Sequence, residues 1–274
     1  MSDYQLRFGG IARLYGVKGA NVLQAAHFCV IGVGGVGSWA AEALARNGIG
    51  NITLIDLDDI CTTNINRQIH ALSSTIGKDK VAIMAERIHQ INPECNIHQI
   101  DDFVTEENLT DLISSNFDYV IDAIDSVNIK TKIIAHCKRN KLPIITIGGA
   151  GGQVDPSKIQ ITDLSKTYQD PLLAKVKNQL RREHNFPRDT LEKKSKRKFA
   201  IDAVFSTEQL LYPDHEGGVC HAKQTQGGTM RLDCSSGFGA TTHVTASFAF
   251  FAVGRSIQKL LAKKLITLNN KIYR

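Results

Sequence analysis

A glycine-rich turn is the first feature of this sequence that could do chemistry. An apolar run, Phe28 to Val33, leads into the sequence GVGGVG, and a helical pattern follows from Ser38 to Arg46. Glycines permit a tight turn and a close approach of helix and strand, and free N–H groups at a helix N-terminus bind phosphate. We therefore predict a nucleotide-binding turn formed by four glycines: Gly32, Gly34, Gly35 and Gly37.

Charged and amide side chains follow the second apolar run, Ile52 to Leu57. Asp56 stands where a carboxylate accepts hydrogen bonds from ribose hydroxyls. An NAD-linked oxidoreductase would use the glycine turn and Asp56 alone, and that alternative stays open. The residues farther on suit a triphosphate better, because arginine contacts phosphate through two N–H groups and lysine acts as a point charge. These candidate ligands are Asp58, Asn64, Asn66, Arg67, Gln68 and Lys80.

A second carboxylate is predicted at the end of the fourth strand. Tyr119 to Ile121 is apolar, and the sequence Asp122-Ala-Ile-Asp125 follows it. Mg²⁺ is usually bound through one or two carboxylates together with the phosphates of the substrate. We therefore expect Asp125 to hold Mg²⁺ on the polyphosphate.

Apolar runs and helical patterns alternate through the first 150 residues. This pattern predicts an α/β fold with a doubly wound, mostly parallel sheet of the Rossmann-like kind, in which the ligand lies at the carboxyl ends of the strands. Later strands are predicted at residues 159–162, 199–205, near 219–222 and 229–234, and a closing helix at 238–265. We expect one domain over residues 1–274.

The composition favours a polyanionic partner such as nucleic acid. The formal charge is +6 and the isoelectric point is near 9.0. Ten Lys or Arg and three Asp or Glu fall within residues 172–198. We predict a basic, partly flexible crossover over about residues 165–200, which either contacts the phosphates of such a partner or is an ordinary solvated loop.

The cysteines and histidines do not form a recognisable metal or disulfide motif. The six cysteines include no CxxC pair, so neither a structural zinc site nor a secreted disulfide framework is expected. Cys234, His70, His221 and His243 are expected to be structural. The N-terminus does not resemble a signal peptide, and residues 238–254 are too short and polar for a membrane span. A cytoplasmic protein is therefore predicted.

The glycine turn, the DxD pair, the sequence Asn64-Ile-Asn66-Arg67-Gln68, the downstream Lys80 and the DAxD sequence occur in this order. Together they resemble the ubiquitin-activating-enzyme superfamily of ThiF/MoeB type, whose members adenylate a carboxylate with ATP and Mg²⁺. The resemblance implies that Asp56 holds the ribose and that Asp125 holds the magnesium. The phosphates would be bound by four residues: Asn64, Arg67, Gln68 and Lys80.

This sequence departs from the superfamily pattern at its N-terminus. Members often supply an arginine across a dimer from an RFxR sequence, whereas RFGG places Gly10 at that position here. Arg13 or Arg7 would have to substitute, and Arg13 is our candidate. Asp125-Ser126 stands in place of the usual DN pair, and the two CxxC pairs common in enzymes that act on sulfur carriers are missing.

Further local sequences narrow the resemblance. RFGGIARLYG, NINRQIHAL, ERIHQINPEC, GGAGGQVDP and LDCSSGFGA closely resemble the family of bacterial tRNA threonylcarbamoyladenosine dehydratases. The resemblance implies adenylation of the threonylcarbamoyl carboxylate beside the tRNA anticodon, followed by attack of the ureido group. The products would be cyclic threonylcarbamoyladenosine, AMP and pyrophosphate. A homodimer is implied as well.

Other functions remain open at the level of sequence. The first alternative is adenylation of the C-terminus of a ubiquitin-like sulfur-carrier protein. A second is a non-catalytic binding module for a cysteine desulfurase system, whose proteins are possible partners in any case.

Overall fold

The computed structural model describes residues 2–188, 197–214, 217–221 and 238–272, with side chains up to residue 266. Its helices in chain order are α1 (Asp3–Ala25), α2 (Gly37–Arg46), α3 (Lys80–Ile91), α4 (Leu109–Leu112), α5 (Val127–Arg139), α6 (Pro171–Glu183) and α7 (Thr242–Ile272). Its strands are β1 (His27–Ile31), β2 (Asn51–Ile55), β3 (Asn96–Ile100), β4 (Tyr119–Asp122), β5 (Ile144–Ile147), β6 (Ile159–Asp163), β7 (Asp202–Ser206), β8 (Tyr212–Pro213) and β9 (Val219–Cys220).

Seven strands of the described residues form one sheet, in the order β3-β2-β1-β4-β5-β7-β6. The pairs are parallel except for β6, which runs antiparallel to β7. The chain adds β2 and β3 on one side of β1 and then β4 on the other. The carboxyl ends of β1 and β4 therefore flank the point where ligands bind in doubly wound sheets. The predicted α/β fold is confirmed.

The sheet is buried on both faces, which explains why its central strands are apolar throughout. Alternate residues of β1 face opposite sides: Phe28 and Val30 pack with α2, α3 and α7, and Cys29 and Ile31 pack with α5 and α6. Helices on both faces hold the sheet rigidly. The loops at its carboxyl edge are therefore carried by a fixed frame.

The basic crossover differs from our expectation, because Pro171–Glu183 is a packed helix. Leu173, Val176 and Leu180 recur at helical spacing and are fully buried against the core beside α5. Asp170 caps the helix by accepting a hydrogen bond from the Leu173 N–H at 2.9 Å. The apolar stripe therefore outweighs the charges that dominate the composition.

Two other expectations concern the C-terminal third. The closing helix begins at Thr242 rather than at residue 238. The strand predicted at residues 229–234, Cys234 and residues 189–196 of the crossover lie outside the described residues. None of the helices in the described ranges combines the length and the apolar character needed to cross a membrane.

Candidate active site

The glycine turn joins β1 to α2 and leaves no room for side chains at two of its positions. Gly32 has φ +84°, a conformation that side chains disfavour. A Cβ on Gly37 would lie 1.7 Å from the Gly32 carbonyl oxygen, so any other residue would break the turn. At Gly34 the nearest atom would be Gln68 Nε2 at 4.0 Å. The glycines thus bring the first N–H groups of α2 against the end of β1.

Asp56 ties the end of β2 to this turn. Its Oδ2 accepts a hydrogen bond from the Val33 N–H at 2.5 Å, and its Oδ1 accepts one from the Asp58 N–H at 2.9 Å. The residue is 9% exposed. Each carboxylate oxygen has a second lone pair, so Asp56 retains the capacity to accept ribose hydroxyls.

Lys80 is the first residue of α3, and its ammonium group lies beside the carboxylates of Asp56 and Asp58. Its Nζ lies 2.6 Å from Asp58 Oδ2 and 3.8 Å from Asp56 Oδ1. The Lys80 side chain is 7% exposed, whereas that of Asp58 is 56% exposed. The two carboxylates offset the cost of burying an ammonium group. Because Asp56 also contacts Val33, Lys80 is held close to the glycine turn.

Arg67 packs directly against the glycine turn at Gly35. A Cβ on Gly35 would lie 3.2 Å from Arg67 Cδ. The guanidinium donates hydrogen bonds to the Thr63 carbonyl at 2.7 Å and to Asn66 Oδ1 at 3.2 Å. Trp39 Nε1 donates to the Arg67 carbonyl at 2.9 Å. Within the described residues no carboxylate pairs with Arg67, so its charge is available to an anion.

The three amide residues of the loop have different positions. Asn64 is buried and accepts a hydrogen bond from the Cys61 N–H at 3.0 Å, which folds the loop. Gln68 is buried beside the glycine turn, and its Oε1 accepts no hydrogen bond from the described residues. Asn66 is exposed and donates to the Ala240 carbonyl at 2.8 Å, so it links the loop to the start of α7. Thr242 strengthens that link by donating to the Asn66 carbonyl.

Asp125 lies in the loop between β4 and α5, at the carboxyl edge of the sheet. Ala123 and Ile124 of this loop pack against Gly32, since a Cβ there would lie 2.9 Å from Ile124 Cγ2. The exposed Asp125 carboxylate makes no hydrogen bond or ion pair within the described ranges. No group of three or more His, Cys, Asp or Glu that could hold a metal occurs in those ranges. This donor set fits a Mg²⁺ ion held mainly by phosphate oxygens.

Arg13 is exposed on α1, and the structure does not join it to these residues. Tyr4 at the start of α1 donates a hydrogen bond to the Gly48 carbonyl at 2.6 Å, and Arg7 donates to the Ile91 carbonyl at 3.5 Å. Gly48 precedes β2 and Ile91 ends α3, so the first turns of α1 lie at the amino edge of the sheet. A role for Arg13 in this site stays a prediction.

One buried residue near the site, Lys130, escaped the sequence analysis, and a second, His70, was expected to be structural. Lys130 of α5 is completely buried and lies 3.0 Å from Asp122 Oδ1. Its position on the apolar face of α5, between Val127 and Ile133, is the signal that could have revealed it. His70 is buried as well, and neither ring nitrogen has a partner among the described atoms. Burial, together with smaller contributions from the charges of Lys80 and Arg87, lowers the pKa of His70 to about 4.

Comparison with known proteins places this site in a family. The ThiF family model matches residues 9–274. The tRNA threonylcarbamoyladenosine dehydratase of Escherichia coli is 56% identical over 260 residues, which cover 95% of each chain. A crystal structure of the E. coli tRNA N6-threonylcarbamoyladenosine dehydratase in complex with ATP matches with a TM-score of 0.84 at 52% identity, covering 96% of this chain and 98% of that one.

Comparison with a second relative distinguishes between two functions that the sequence left open, dehydration of the modified tRNA and adenylation of a sulfur-carrier protein. The molybdopterin-synthase adenylyltransferase of Haemophilus influenzae is 34% identical over 58% of this chain and 68% of that protein. The similarity to the dehydratases is both higher and longer, and it confirms the resemblance predicted from the local sequences. Because the ThiF model spans nearly the whole of the sequence, this chain belongs to the ThiF family.

Proposed function

We propose that this protein is an ATP-dependent tRNA threonylcarbamoyladenosine dehydratase. The observation that carries the proposal is similarity along the whole length, at 56% identity over 95% of the chain, to a protein of that name. The alternative, adenylation of a sulfur carrier, has weaker support because the corresponding relative matches 58% of the chain. The oxidoreductase and the non-catalytic module lose support as well, since the ThiF match spans residues 9–274.

The reaction has two steps. A carboxylate oxygen of the threonylcarbamoyl group attacks the α-phosphorus of ATP, and pyrophosphate leaves. The ureido group of the same substituent then attacks the acyl carbon, a ring closes and AMP leaves. The net change in the nucleoside is the loss of one water. The second step is intramolecular, so its rate gains from proximity without a covalent enzyme intermediate.

The chain contributes charge stabilisation to the first step. N–H groups of the glycine turn and of the start of α2 bind phosphate oxygens, and Asp56 accepts the ribose hydroxyls. Arg67 and Lys80 both lie near the turn and compensate the charge that develops during attack. Asn64 and Gln68 complete the phosphate-binding loop, while Asn66 orients Arg67. Both cations are preorganised, because Arg67 is fixed by Thr63 and Lys80 by Asp58.

Mg²⁺ would bind at Asp125 together with the phosphate oxygens. Once bound, the ion neutralises negative charge on the phosphates. Asp125 suits this role because its carboxylate is exposed and its loop packs on Gly32. The ribose and phosphate contacts listed above do not involve Asp125, so nucleotide binding should depend less on this residue than adenylation does.

The tRNA partner would lie along α5 and α6. Arg139 Nη2 lies 3.2 Å from His184 Nδ1, so the ends of the two helices meet. Exposed cations gather at this junction and continue into the described end of the crossover: Lys138, Arg139, Lys141, Arg188, Arg197 and Lys198. At 1.5 Å per residue, α5 is about 20 Å long and leads from this cluster to Asp125. An RNA stem on this face would bring its loop to the carboxyl edge of the sheet.

A homodimer would bring Arg13 of one subunit to the ATP of the other. The proposal is supported by apolar residues exposed on α1 and α7, namely Leu14 and Val17 on α1 and Phe250 and Phe251 on α7. Exposed clusters of this kind mark interaction surfaces. The proposal also includes a cytoplasmic location and partners from a cysteine desulfurase system.

The function is tested by nucleoside mass analysis of tRNA from cells that lack this protein. The proposal predicts that threonylcarbamoyladenosine accumulates and its cyclic form disappears. Restoring the gene should restore the cyclic form, and restoring a Lys80→Ala variant should not. Persistence of the cyclic nucleoside in the deletion strain would contradict the proposal.

A further inference from the structure

Lys130 is a fully buried cation whose three N–H groups all point at one loop. Its Nζ donates to Asp122 Oδ1 at 3.0 Å, to the Ile124 carbonyl at 2.8 Å and to the Asp122 carbonyl at 3.4 Å. The side chain has no exposed surface. An ammonium group has three donors, and all three are used to hold the turn that follows β4.

The other side of the turn is held by the Asp122 carboxylate, which is also fully buried. Its Oδ2 accepts a hydrogen bond from Thr146 Oγ1 of β5 at 2.7 Å, and its Oδ1 accepts one from the Ile124 N–H at 3.4 Å. The Asp122–Lys130 pair therefore connects β4, β5 and α5 beneath the loop. Both peptide groups of Ile124, its N–H and its carbonyl, are fixed by this pair.

The residue after Ile124 is Asp125, the carboxylate assigned to the metal. Ile124 also packs on Gly32, so its position relates the loop to the glycine turn. A buried ion pair of this kind often adds little stability relative to apolar residues of the same volume. Because the pair lies beneath the loop that carries Asp125, we expect it to position that loop rather than to stabilise the fold.

We propose that Lys130 is a positioning residue, which sets the direction of the Asp125 carboxylate toward the metal and the polyphosphate by holding the Ile124 carbonyl. The proposal rests on the function proposed above. It extends the site from the residues that touch the nucleotide to a buried residue behind them. Lys130 acts through the loop and does not contact the substrate.

The test compares two variants that disturb the same buried network. Lys130→Met with Asp122→Asn removes both charges together, so no buried charge is left alone, and the Ile124 carbonyl loses its donor. Thr146→Val is the matched control, because it removes a hydrogen bond to Asp122 but leaves the donor to Ile124 in place. Thermal unfolding confirms that each variant is folded before it is compared.

Two measurements report on the loop without turnover. Binding of Mn²⁺ to the complex with a non-hydrolysable ATP analogue is followed by electron paramagnetic resonance, and amide hydrogen exchange is followed over residues 123–126. In the double variant we expect Mn²⁺ to bind about tenfold more weakly and the loop amides to exchange faster. Affinity for the analogue without metal should change by less than about twofold, and the Thr146→Val protein should match the unaltered protein.

Asp125→Asn separates failure of this inference from failure of the metal assignment. If Asp125→Asn weakens Mn²⁺ binding while the double variant binds Mn²⁺ and exchanges its loop amides normally, Lys130 does not position the loop. If Asp125→Asn leaves Mn²⁺ binding unchanged, the metal assignment is wrong and the inference fails with it. Loss of Mn²⁺ binding in both, with Thr146→Val unaffected, supports the proposal.

Discussion

The Lys80 ammonium lies 2.6 Å from the Asp58 carboxylate, at the point where α3 begins beside the glycine turn. The lysine is almost buried, whereas Asp58 is more than half exposed. In the proposed site, Asp58 would therefore be able to turn toward water if a phosphate took its place beside Lys80. The pair holds the Lys80 side chain in place beside the glycine turn.

Lys80→Ala should lower pyrophosphate release at saturating ATP by about 100-fold or more, because it removes charge stabilisation in a partly dehydrated site. The fold should survive, since Asp58 stays hydrated once its partner is gone. The measurement combines turnover with thermal unfolding. Lys78→Ala is the control, since Lys78 is exposed and lies two residues away. Near-normal turnover in the Lys80 variant would remove Lys80 from the site.

Gly37→Ala should destabilise the protein by more than about 3 kcal/mol, because its Cβ would overlap the Gly32 carbonyl. Gly34→Ala should change the free energy of unfolding by less than about 1 kcal/mol, since its Cβ meets only Gln68 Nε2 at 4.0 Å. Denaturant unfolding measures both. Equal stability of the two variants would show that the close approach of α2 and β1 is not required.

His70 should make stability depend on pH. Its pKa is lowered from 6.5 to about 4 in the folded protein, so the unfolded chain binds a proton that the folded chain does not. The contribution is therefore complete above pH 6.5 and is lost as pH falls toward 4. Between pH 7 and pH 5 the unaltered protein should lose about 2 kcal/mol more than His70→Leu does.

His89→Leu serves as the control for this experiment, because His89 is exposed on the same stretch of chain. It should retain the full loss of stability at low pH. Denaturant unfolding at several pH values gives the free energies. If His70→Leu and His89→Leu behave alike, the imidazole of His70 is not kept neutral by its surroundings.

Much of the frame was predictable from residue patterns. Helix α2 (Gly37–Arg46) and strand β2 (Asn51–Ile55) lie where the helical pattern from Ser38 to Arg46 and the apolar run from Ile52 to Leu57 predict them. Helix α6 was not predicted, because its three buried apolar residues are a weak signal in a segment, residues 172–198, that contains ten Lys or Arg. Lys130 was hidden for a different reason, since its burial depends on Asp122 of a neighbouring strand. The position of Lys130 on the apolar face of α5 hints at its burial, but its partner is set by the tertiary fold and cannot be read from the local sequence.

The proposed tRNA surface predicts a change in salt dependence. Lys138→Gln with Lys141→Gln should weaken tRNA binding and reduce the slope of log affinity against log salt by about 2, because each lost phosphate contact releases one counterion fewer. ATP affinity should not change. Lys18→Gln with Lys263→Gln, on α1 and α7, removes equal charge as a control. If both pairs change the slope equally, the effect comes from net charge and not from this surface.

Further basic residues of the crossover extend the same surface prediction: Lys193, Lys194 and Lys196, which lie outside the described residues and precede Arg197 and Lys198 in the sequence. Neutralising all five together should flatten the salt dependence further. Nucleotide binding should stay unchanged, since these residues are far in sequence from the glycine turn. A slope equal to that of the unaltered protein would place the RNA elsewhere.

The central claim is tested most directly with the purified protein, ATP, Mg²⁺ and tRNA that carries threonylcarbamoyladenosine. Mass spectrometry follows the nucleoside while AMP and pyrophosphate are counted. We predict that the nucleoside loses one water and that one AMP and one pyrophosphate appear for each cyclised residue, with none from Lys80→Ala. An unchanged nucleoside, together with pyrophosphate release driven by a protein that ends in Gly-Gly, would contradict the account.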